Sequence, residues 1–279
     1  MWIKFCQSLN YLLYISLMKQ QLKEQAIQLY KQGKQIKEIC NMINLCDKTI
    51  SKTLKENGIV IKTGPEYLRV HHFNDSYFKS IDSPDKAYFL GLLYADGNVY
   101  LRRKRVQIAL AEEDSYILTE FAKTLGHNGK LYIDREFHKL IFDSEEMCND
   151  LIKLGCTPRK SLSLEFPNSE QVPDHLLSHF IRGFFDGDGS IYFRGKNPQA
   201  KSVSFVSTKS FLMKLKEVLL KEGIQSSDFL IRYKNKPDSS GEIRFGDKRS
   251  VQTFYRFAYD NCENLFLKRK KEKFSYENS

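Results

Sequence analysis

Two Asp-Gly dipeptides lie 92 residues apart, each at the end of an apolar stretch that contains a further glycine. Asp96 belongs to the first and Asp188 to the second. If each stretch is a helix, each carboxylate stands at the negative end of a helix dipole, and two such carboxylates side by side repel each other. A divalent cation relieves both effects, and carboxylates that converge with backbone carbonyls suit Mg²⁺. The pattern therefore indicates a Mg²⁺ site formed by both carboxylates together with the backbone at Ala95 and Gly187.

Such a site could hydrolyse a phosphodiester, because metal ions roughly 4 Å apart or less clamp the attacking water and the leaving oxygen. The alternative is that Asp-Gly is only a helix-stop dipeptide, which is common. For either copy alone the helix stop is the better interpretation. Two copies at matched positions favour the metal site.

The helix expected to carry Asp96 has clear ends in the sequence. Ser83 is a good N-cap, Pro84 suits the first helical position, and Gly97 suits the residue after the last turn. A glycine and an alanine four residues apart share one face of this helix, as two glycines do in the second copy. Small residues at that spacing let two backbones approach closely. We therefore expect the two helices to pair on a pseudo-twofold axis, with their C-terminal ends together.

The similarity between the two copies continues over a whole domain. Each copy is followed by segments typical of two strands, a helix, two more strands and a final helix. We therefore expect an α+β fold of two halves, residues 83–170 and 171–279, each ordered helix-strand-strand-helix-strand-strand-helix. Residues 64–82 have no clear period and are interpreted as an ordered linker.

Residues 19–63 predict a small all-α domain of three short helices, the third with Asp47 as its N-cap. Nine lysines oppose four acids there, and two helices joined by a short turn are typical of helix-turn-helix DNA-binding domains. The candidates for DNA contact in the third helix are Lys48, Thr49 and Lys52. A trihelical bundle with a solvated basic face is the alternative. Residues 1–18 are expected to be a non-native or disordered extension, with Met18 as the natural start.

The overall charge also points to a nucleic acid. The 279 residues carry a formal net charge of +10, and such an excess indicates a polyanionic partner. No uninterrupted apolar stretch reaches about 18 residues, so no membrane-spanning helix is expected. The N-terminus is a poor signal peptide and the six cysteines lack metal-binding spacing. We therefore expect an intracellular protein with reduced thiols.

The strands expected after the Asp-Gly dipeptides carry a second signal of DNA binding. In 98–102 and 190–194, apolar residues alternate with polar, aromatic or basic ones, so that one face packs on the core. A ribbon of such strands fits the DNA major groove, although any single residue also fits an ordinary exposed strand. The candidates for DNA contact are Tyr100, Arg102, Tyr192, Arg194, Arg232, Lys234 and Arg244. Arg103, Lys104 and Arg105 are assigned to a hairpin turn.

Residues 89–97 (FLGLLYADG) and 181–189 (IRGFFDGDG) resemble the two signature helices of LAGLIDADG homing endonucleases. The paired motifs lie inside a whole-domain repeat, which makes the resemblance specific. In the first copy, Tyr94 stands where the signature has its first aspartate, and Asp186 takes that place in the second copy. The metal-binding acid of the family is the later one, and both copies have it.

Residues 155–167 and 265–274 resemble the tails that follow each half in part of that family. The resemblance implies that Lys160 and Lys270, at equivalent places in these tails, form the basic pair of the active site. Such a pair would stabilise charge near the scissile phosphate.

The resemblance further implies a saddle-shaped, monomeric enzyme that cuts double-stranded DNA at a long, asymmetric site. It also implies an origin in a mobile intron or a free-standing gene, with the helix-turn-helix as an added module. Two alternatives use the same scaffold: a DNA-binding regulator that has lost cleavage, and an RNA maturase. Two intact acids disfavour the regulator, and a helix-turn-helix suited to duplex DNA disfavours the maturase.

Overall fold

The computed structural model describes residues 2–61, 72–195, 200–224, 230–233 and 241–275, of which 2–16 and 230–233 are described by their backbone alone. The chain divides into two compact units, residues 1–68 and residues 69–279. Within the described ranges, no helix is both long and apolar enough to cross a membrane.

The first unit contains three helices, α1 (Trp2–Lys31), α2 (Ile36–Ile43) and α3 (Asp47–Glu56). Their buried apolar side chains form a separate core, made by Ala26, Ile36, Ile39, Ile43, Ile50 and Leu54. Asn44 begins the turn between α2 and α3 with a φ of 53°, a left-handed conformation that asparagine tolerates better than most residues. Three helices therefore lie in the region where the sequence predicts them.

Two helix starts in this unit differ from the sequence prediction. Residues 2–18, expected as an extension, lie within α1, which continues without a break into the first predicted helix. Cys46 rather than Asp47 is the N-cap of α3, because its backbone is extended while Asp47 is already helical. Asp47 thus lies in the first turn, where its charge complements the positive end of the helix dipole.

The second unit consists of two halves with the same element order. The first half contains α4 (Pro84–Asp96), β1 (Gly97–Tyr100), β2 (Arg105–Ala111), α5 (Ser115–Thr124), β3 (Tyr132–Asp134), β4 (Phe137–Asp143) and α6 (Glu145–Lys153). The second half contains α7 (Leu177–Asp188), β5 (Gly189–Phe193), β6 (Lys201–Ser207), α8 (Lys209–Lys221), β7 (Leu230–Tyr233), β8 (Gly241–Phe245), α9 (Lys248–Tyr259) and α10 (Lys268–Glu272). Each half has an antiparallel sheet, in the orders β1-β2-β4-β3 and β5-β6-β8-β7. The predicted duplicated α+β fold is confirmed.

The first hairpin is shorter than predicted. β1 ends at Tyr100, and Leu101–Arg103 form a 3-10 turn. Leu101 is therefore exposed, although the alternation predicted it on the core face. Arg105 is the first residue of β2 rather than a turn residue, and it forms an ion pair with Asp143 of β4. Because alternation assigns faces only while the backbone stays extended, it fails where the strand ends.

Helices α4 and α7 pack against each other through glycine. A Cβ on Gly91 would overlap the carbonyl oxygen of Phe180 and lie 2.8 Å from the amide nitrogen of Phe184. A Cβ on Gly183 would overlap the backbone of α4 in the same way, at the carbonyl of Tyr88. The two backbones therefore approach more closely than any side chain at these positions would allow, as the small-residue pattern predicts.

The start of α4 also follows the prediction, and Gly97 directly follows its last residue, although with an extended backbone and not a left-handed one. The Ser83 hydroxyl accepts a hydrogen bond from the Lys86 N–H at 3.4 Å, and Pro84 is the first helical residue. On the outer side, Phe89 of α4 stacks on Phe121 of α5 with ring centroids 4.1 Å apart. Each central helix is thus held between its partner and the helix that covers the sheet of its own half.

Replacing Gly183 with Ala should destabilise the second unit, because the added methyl group must push α4 and α7 apart. Overpacking typically costs 1–3 kcal/mol, and more where backbone has to move, so we expect a loss of about 3 kcal/mol in the free energy of unfolding measured in urea. Ser178→Ala, at a half-buried position of the same helix, adds no bulk and is the control. Equal stabilities of the Gly183→Ala variant and the unmodified protein would contradict the glycine contact.

Candidate functional site

Asp96 and Asp188 lie at the C-terminal ends of α4 and α7, where the two helices meet. Each is the last residue of its helix and precedes a glycine that begins a strand. A Cβ on Gly187 would overlap the Cβ of Ala95 and lie 2.9 Å from Oδ2 of Asp96. The Asp96 carboxylate is half-buried against the end of the opposite helix, whereas Asp188 is exposed. The structure thus brings the two sequence-predicted acids to one point.

Both carboxylates have raised pKa values. Loss of hydration, followed by the negative charge of Asp188, raises the pKa of Asp96 to about 6, against the opposing charges of Lys270, Lys160 and Arg269. Asp188 reaches solvent but is only partly hydrated beside the two helix ends, and this partial loss of hydration raises its pKa against the opposing charges of Lys160 and Lys270. The protein therefore leaves this pair of negative charges partly uncompensated.

Two buried lysines cap the ends of these helices. Lys160, in the 3-10 turn Lys160–Leu162 after α6, donates to the carbonyl of Gly97. Lys270, in α10, donates to four carbonyls at the end of α7, those of Phe185 (2.7 Å), Asp186 (2.7 Å), Gly187 (3.3 Å) and Gly189 (2.6 Å). Gly97 and Gly189 hold equivalent positions in the two halves, so the two lysines make a matched contact. Their charges complement the negative ends of both helix dipoles, and Lys270 also donates to carbonyls of the last turn of α7.

The ammonium group of Lys270 is held in a low-dielectric setting. Its side chain is 5% exposed, and burial lowers its pKa to about 8 even though the charges of Asp186 and Asp96 act in the opposite direction. Lys270 is therefore largely cationic at pH 7.

The residue two positions before each acid differs between the halves. Asp186 is buried, and its carboxylate accepts hydrogen bonds from the Tyr88 hydroxyl (2.9 Å), the Tyr259 hydroxyl (3.0 Å) and the Leu267 N–H (2.9 Å). Burial raises the pKa of Asp186, while Lys270 and these three bonds oppose the shift. In the first half, the hydroxyl of Tyr94 donates instead to the carbonyl of Leu154. The tail with Lys270 is thus held by the carboxylate of Asp186, and the tail with Lys160 by the hydroxyl of Tyr94.

A buried arginine on α7 is a feature that the sequence reasoning missed. Arg182 is 2% exposed, and its guanidinium donates to the carbonyls of Leu265 (2.8 Å) and Ala258 (2.9 Å). It also lies 5.1 Å from the ring centroid of Tyr88, within cation–π range. Arg182 therefore holds the segment between α9 and α10 against α7. A charged residue inside an otherwise apolar helical stretch was the available signal.

The donor set suits a hard divalent cation. Two carboxylates and the carbonyl groups at two helix ends are oxygen ligands of the kind that Mg²⁺ prefers. In the described part of the chain, no three His, Cys, Asp or Glu side chains are placed so that they could hold a metal ion together. A cation here would thus be held by Asp96, Asp188, backbone carbonyls and ligands from outside the protein. Such an arrangement can support hydrolysis of a phosphodiester.

Three of the predicted DNA-contact residues are exposed near the ends of the first strands. Tyr100 is the last residue of β1, and Arg102 lies in the turn that follows it rather than in the strand. Arg194 follows β5, and its guanidinium donates to the carbonyl of Gly246 at 2.5 Å. Arg194 is therefore accessible but anchored to the end of β8.

The remaining candidates on the second sheet are more constrained. Tyr192 is half-buried, and the guanidinium of Arg244 lies 5.5 Å from its ring centroid. Arg244 also forms a bidentate pair with Glu242, at 2.7 and 2.9 Å. The backbone of Arg232 lies in β7, and Lys234 lies outside the described residues.

The three candidates in the first unit lie on α3. Lys48 and Lys52, one helical turn apart, are exposed, and Lys52 lies 3.7 Å from Glu56. Thr49 is half-buried, with its hydroxyl 3.0 Å from the Cys46 sulfur. The two lysines share one solvent-facing side of α3.

Comparison with solved structures finds several LAGLIDADG homing endonucleases. I-CpaMI bound to uncleaved DNA shares 12% identity, a TM-score of 0.45, and coverage of 70% of this chain and 89% of the other. I-LtrWI bound to its target DNA shares 13% identity, a TM-score of 0.40, and coverage of 72% and 89%. I-SmaMI bound to cleaved DNA shares 12% identity, a TM-score of 0.44, and coverage of 70% and 87%.

Two similar curated proteins come from Methanocaldococcus jannaschii. An uncharacterized protein is 28% identical over 167 residues, which are 59% of this chain and 63% of the relative. The probable translation initiation factor IF-2 is 24% identical over 201 residues, which are 67% of this chain and 16% of the relative. The chain thus spans less than two thirds of either relative.

Among family models, the one described as a LAGLIDADG-like domain matches residues 176–257. That range begins just before α7 and ends within α9, so it contains Asp188 and the sheet of the second half. This match supports the resemblance stated from the sequence for the second motif, residues 181–189, and for the part of the second half that surrounds it.

Proposed function

We propose that the protein is a site-specific DNA endonuclease that hydrolyses phosphodiester bonds of double-stranded DNA with a divalent metal ion. The meeting of Asp96 and Asp188 at the ends of two helices in glycine contact carries this proposal. A single chain supplies both acids, so a monomer would suffice for cleavage. Two carboxylates with raised pKa values destabilise the folded chain when no cation is present. Such perturbed groups are typical of functional sites, and a metal-dependent reaction would require both of them.

Asp96 and Asp188 would hold the cation with the backbone carbonyls of Ala95 and Gly187. When bound there, a divalent ion favours ionisation of a water molecule and stabilises the charge on the leaving oxygen. The two carboxylates would hold the ion at the junction of the two halves. Because α4 and α7 are locked at their glycines, the carboxylates are positioned before DNA binds, which lowers the cost of organising the site.

The two lysines would act as fixed positive charges beside the scissile phosphate. Lys270 shares its three N–H donors among four carbonyls, so its contribution to charge stabilisation is electrostatic rather than a direct hydrogen bond. Lys160 is bonded to the carbonyl of Gly97, and an ammonium group has two further donors for a phosphate oxygen. The first half thus offers the more direct phosphate contact.

The partner would be duplex DNA with a long, asymmetric target. The two antiparallel sheets have the same topology but different accessible groups. Tyr100 and Arg102 are exposed on one side, and on the other Arg194 is exposed while the Arg244–Glu242 pair is half-buried. Different groups read different base edges, so the two half-sites need not match. The exposed lysines of α3 would add a separate helix-turn-helix contact to the DNA backbone or bases.

The same scaffold is compatible with a cleavage-inactive regulator or an RNA maturase. Origin in a mobile intron and an intracellular location would accord with any of the three activities. Incubating the protein with host genomic DNA and Mg²⁺, and then mapping the breaks, distinguishes them. Breaks at one defined sequence would support the endonuclease, whereas binding of DNA or intron RNA without breaks would favour one of the alternatives.

Asp96→Asn and Asp188→Asn should each abolish cleavage of duplex DNA while leaving specific binding nearly unchanged, because an amide keeps the shape but not the charge that binds a cation. Cleavage is measured on a plasmid that carries the mapped site, and binding by mobility shift. EDTA should have the same effect on the unmodified protein. Full cleavage by either variant would exclude the proposed metal site.

Asp96→Asn should also raise the thermal unfolding temperature in EDTA at pH 8. A folded-state pKa of about 6, above the ordinary value of 3.8, means that the folded chain binds the proton more tightly than the unfolded chain and loses stability as the pH rises through this range. The gain should therefore be present above pH 6 and vanish near pH 4. Asp82→Asn is the control with the opposite sign, because hydrogen bonds from Lys86 and Ser80 lower the pKa of Asp82. A gain that is independent of pH would contradict this explanation.

Lys48→Gln and Lys52→Gln should weaken DNA binding and shorten the footprint at one end, without moving the cut. Each lost phosphate contact should make the log–log dependence of affinity on salt shallower by about 1. Lys214→Gln, which removes an exposed lysine paired with Glu217 on α8, is the matched control. An unchanged footprint would mean that α3 does not contact DNA.

A further inference from the structure

The segment that leads to Lys270 is held at each successive residue. The carbonyl of Phe266 accepts a hydrogen bond from the Tyr116 hydroxyl at 2.9 Å, and the N–H of Lys268 donates to the same hydroxyl at 2.7 Å. Between them, the N–H of Leu267 donates to Asp186. Tyr116 belongs to α5 of the first half, so a side chain of the first half hydrogen-bonds to residues 266–268 on both sides of Leu267.

The next residue is fixed by a charge pair between the halves. Arg269 donates through Nε and Nη2 to both carboxylate oxygens of Asp114, at 2.9 and 2.7 Å for Oδ2 and 3.2 Å for Oδ1. The Asp114 side chain is 4% exposed, and that of Arg269 is 41% exposed. Asp114 precedes α5 but makes no capping hydrogen bond to it, so the carboxylate is directed at the tail and not at its own helix.

The equivalent position in the other half lacks such a pair. Thr208 precedes α8 as Asp114 precedes α5, and its hydroxyl donates to the carbonyl of Leu164 in the tail of the first half. Ser210 donates to Glu165 at 2.8 Å. The tail residues that receive these contacts, Leu164 and Glu165, come after Lys160 in the chain. Arg269, which receives the Asp114 contact, comes directly before Lys270. In the described residues, the bidentate ionic contact between the halves is thus on the Lys270 side.

We infer that Asp114 is a positioning residue of the second half-site: through Arg269, it fixes the start of α10 and thereby seats Lys270 on the end of α7. The role in cleavage rests on the proposed function, whereas the seating of Lys270 does not. The contact crosses from the first half to the second, so the second half would depend on the first for the placement of Lys270.

Arg269 could instead bind a DNA phosphate directly. Its guanidinium is bonded to Asp114 and lies 3.4 Å from Glu113, so two carboxylates face one cation. This surrounding potential repels a phosphate, which favours the positioning role. The two roles predict opposite effects of removing the Asp114 charge. If Arg269 binds phosphate, the variant frees its guanidinium and DNA binding becomes tighter. If Arg269 positions Lys270, the variant loosens the segment and cleavage becomes slower.

Short exposure of the full chain to an amine-acetylating reagent, followed by peptide mass spectrometry, measures the seating of Lys270 without DNA or metal. In the unmodified protein, Lys270 and Lys160 should both react slowly because they are buried. In Asp114→Asn, Lys270 should react at least about tenfold faster while Lys160 stays slow, since only the segment at Lys270 opens locally. Arg269→Gln should reproduce this result from the other partner, and Glu217→Gln, in an exposed pair on α8, should change neither rate.

Unchanged acetylation of Lys270 in both variants would overturn the inference, as would an equal increase at Lys160, which would indicate general loosening. On DNA, Asp114→Asn should slow single-turnover cleavage about tenfold with little change in affinity, and the double variant with Arg269→Gln should be no worse than either single variant. Tighter DNA binding by Asp114→Asn with intact cleavage would instead assign Arg269 to a phosphate. If no protein cleaves DNA, the proposed function fails while the acetylation result still decides the seating of Lys270.

Discussion

The backbone contact between α4 and α7 is the constraint on which the rest of the second unit depends. Gly91 and Gly183 face the opposite backbone at distances that exclude any Cβ. Because the helices cannot separate without losing this contact, their C-terminal ends arrive at one point, and both sheets begin there. The location of Asp96 and Asp188 follows from this geometry and from the length of the two helices, rather than from any attraction between the acids.

The electrostatics of that point are unfavourable in themselves, and the tails compensate for much of this. Two carboxylates at two negative helix ends repel each other and the dipoles. Lys160 and Lys270, in the tails that follow each half, donate hydrogen bonds to the carbonyls of Gly97 and Gly189 and place a positive charge beside each helix end. The pKa of Asp96 remains raised to about 6, so the compensation is incomplete. Under the proposed function, a bound divalent cation would offset this remaining negative charge.

The two halves share a topology but hold the C-terminal ends of α4 and α7 differently. The second half uses a buried carboxylate, Asp186, where the first uses the hydroxyl of Tyr94. A bidentate ion pair joins the halves beside Lys270, and neutral hydroxyls take the equivalent place beside the tail of Lys160. Pseudo-symmetry therefore applies to the backbone and the helix ends, while the side chains around them are specific to each half. Under the proposed function, this difference would allow the two halves of the DNA target to differ.

The repeat, the helix starts and the small-residue faces are local patterns, so they were enough to predict the duplicated α+β order, the pairing of α4 with α7 and the position of both acids. It did not reveal where strands end, as the exposed Leu101 illustrates, because alternation has no signal for a turn made by ordinary residues. It also could not assign partners to Arg182, Asp186 or Arg269. Those partners are up to 155 residues away in the chain, and only tertiary packing brings them within hydrogen-bond distance. Each of these bonds includes a buried charged group, Arg182, Asp186 or Asp114, which requires a hydrogen-bond partner.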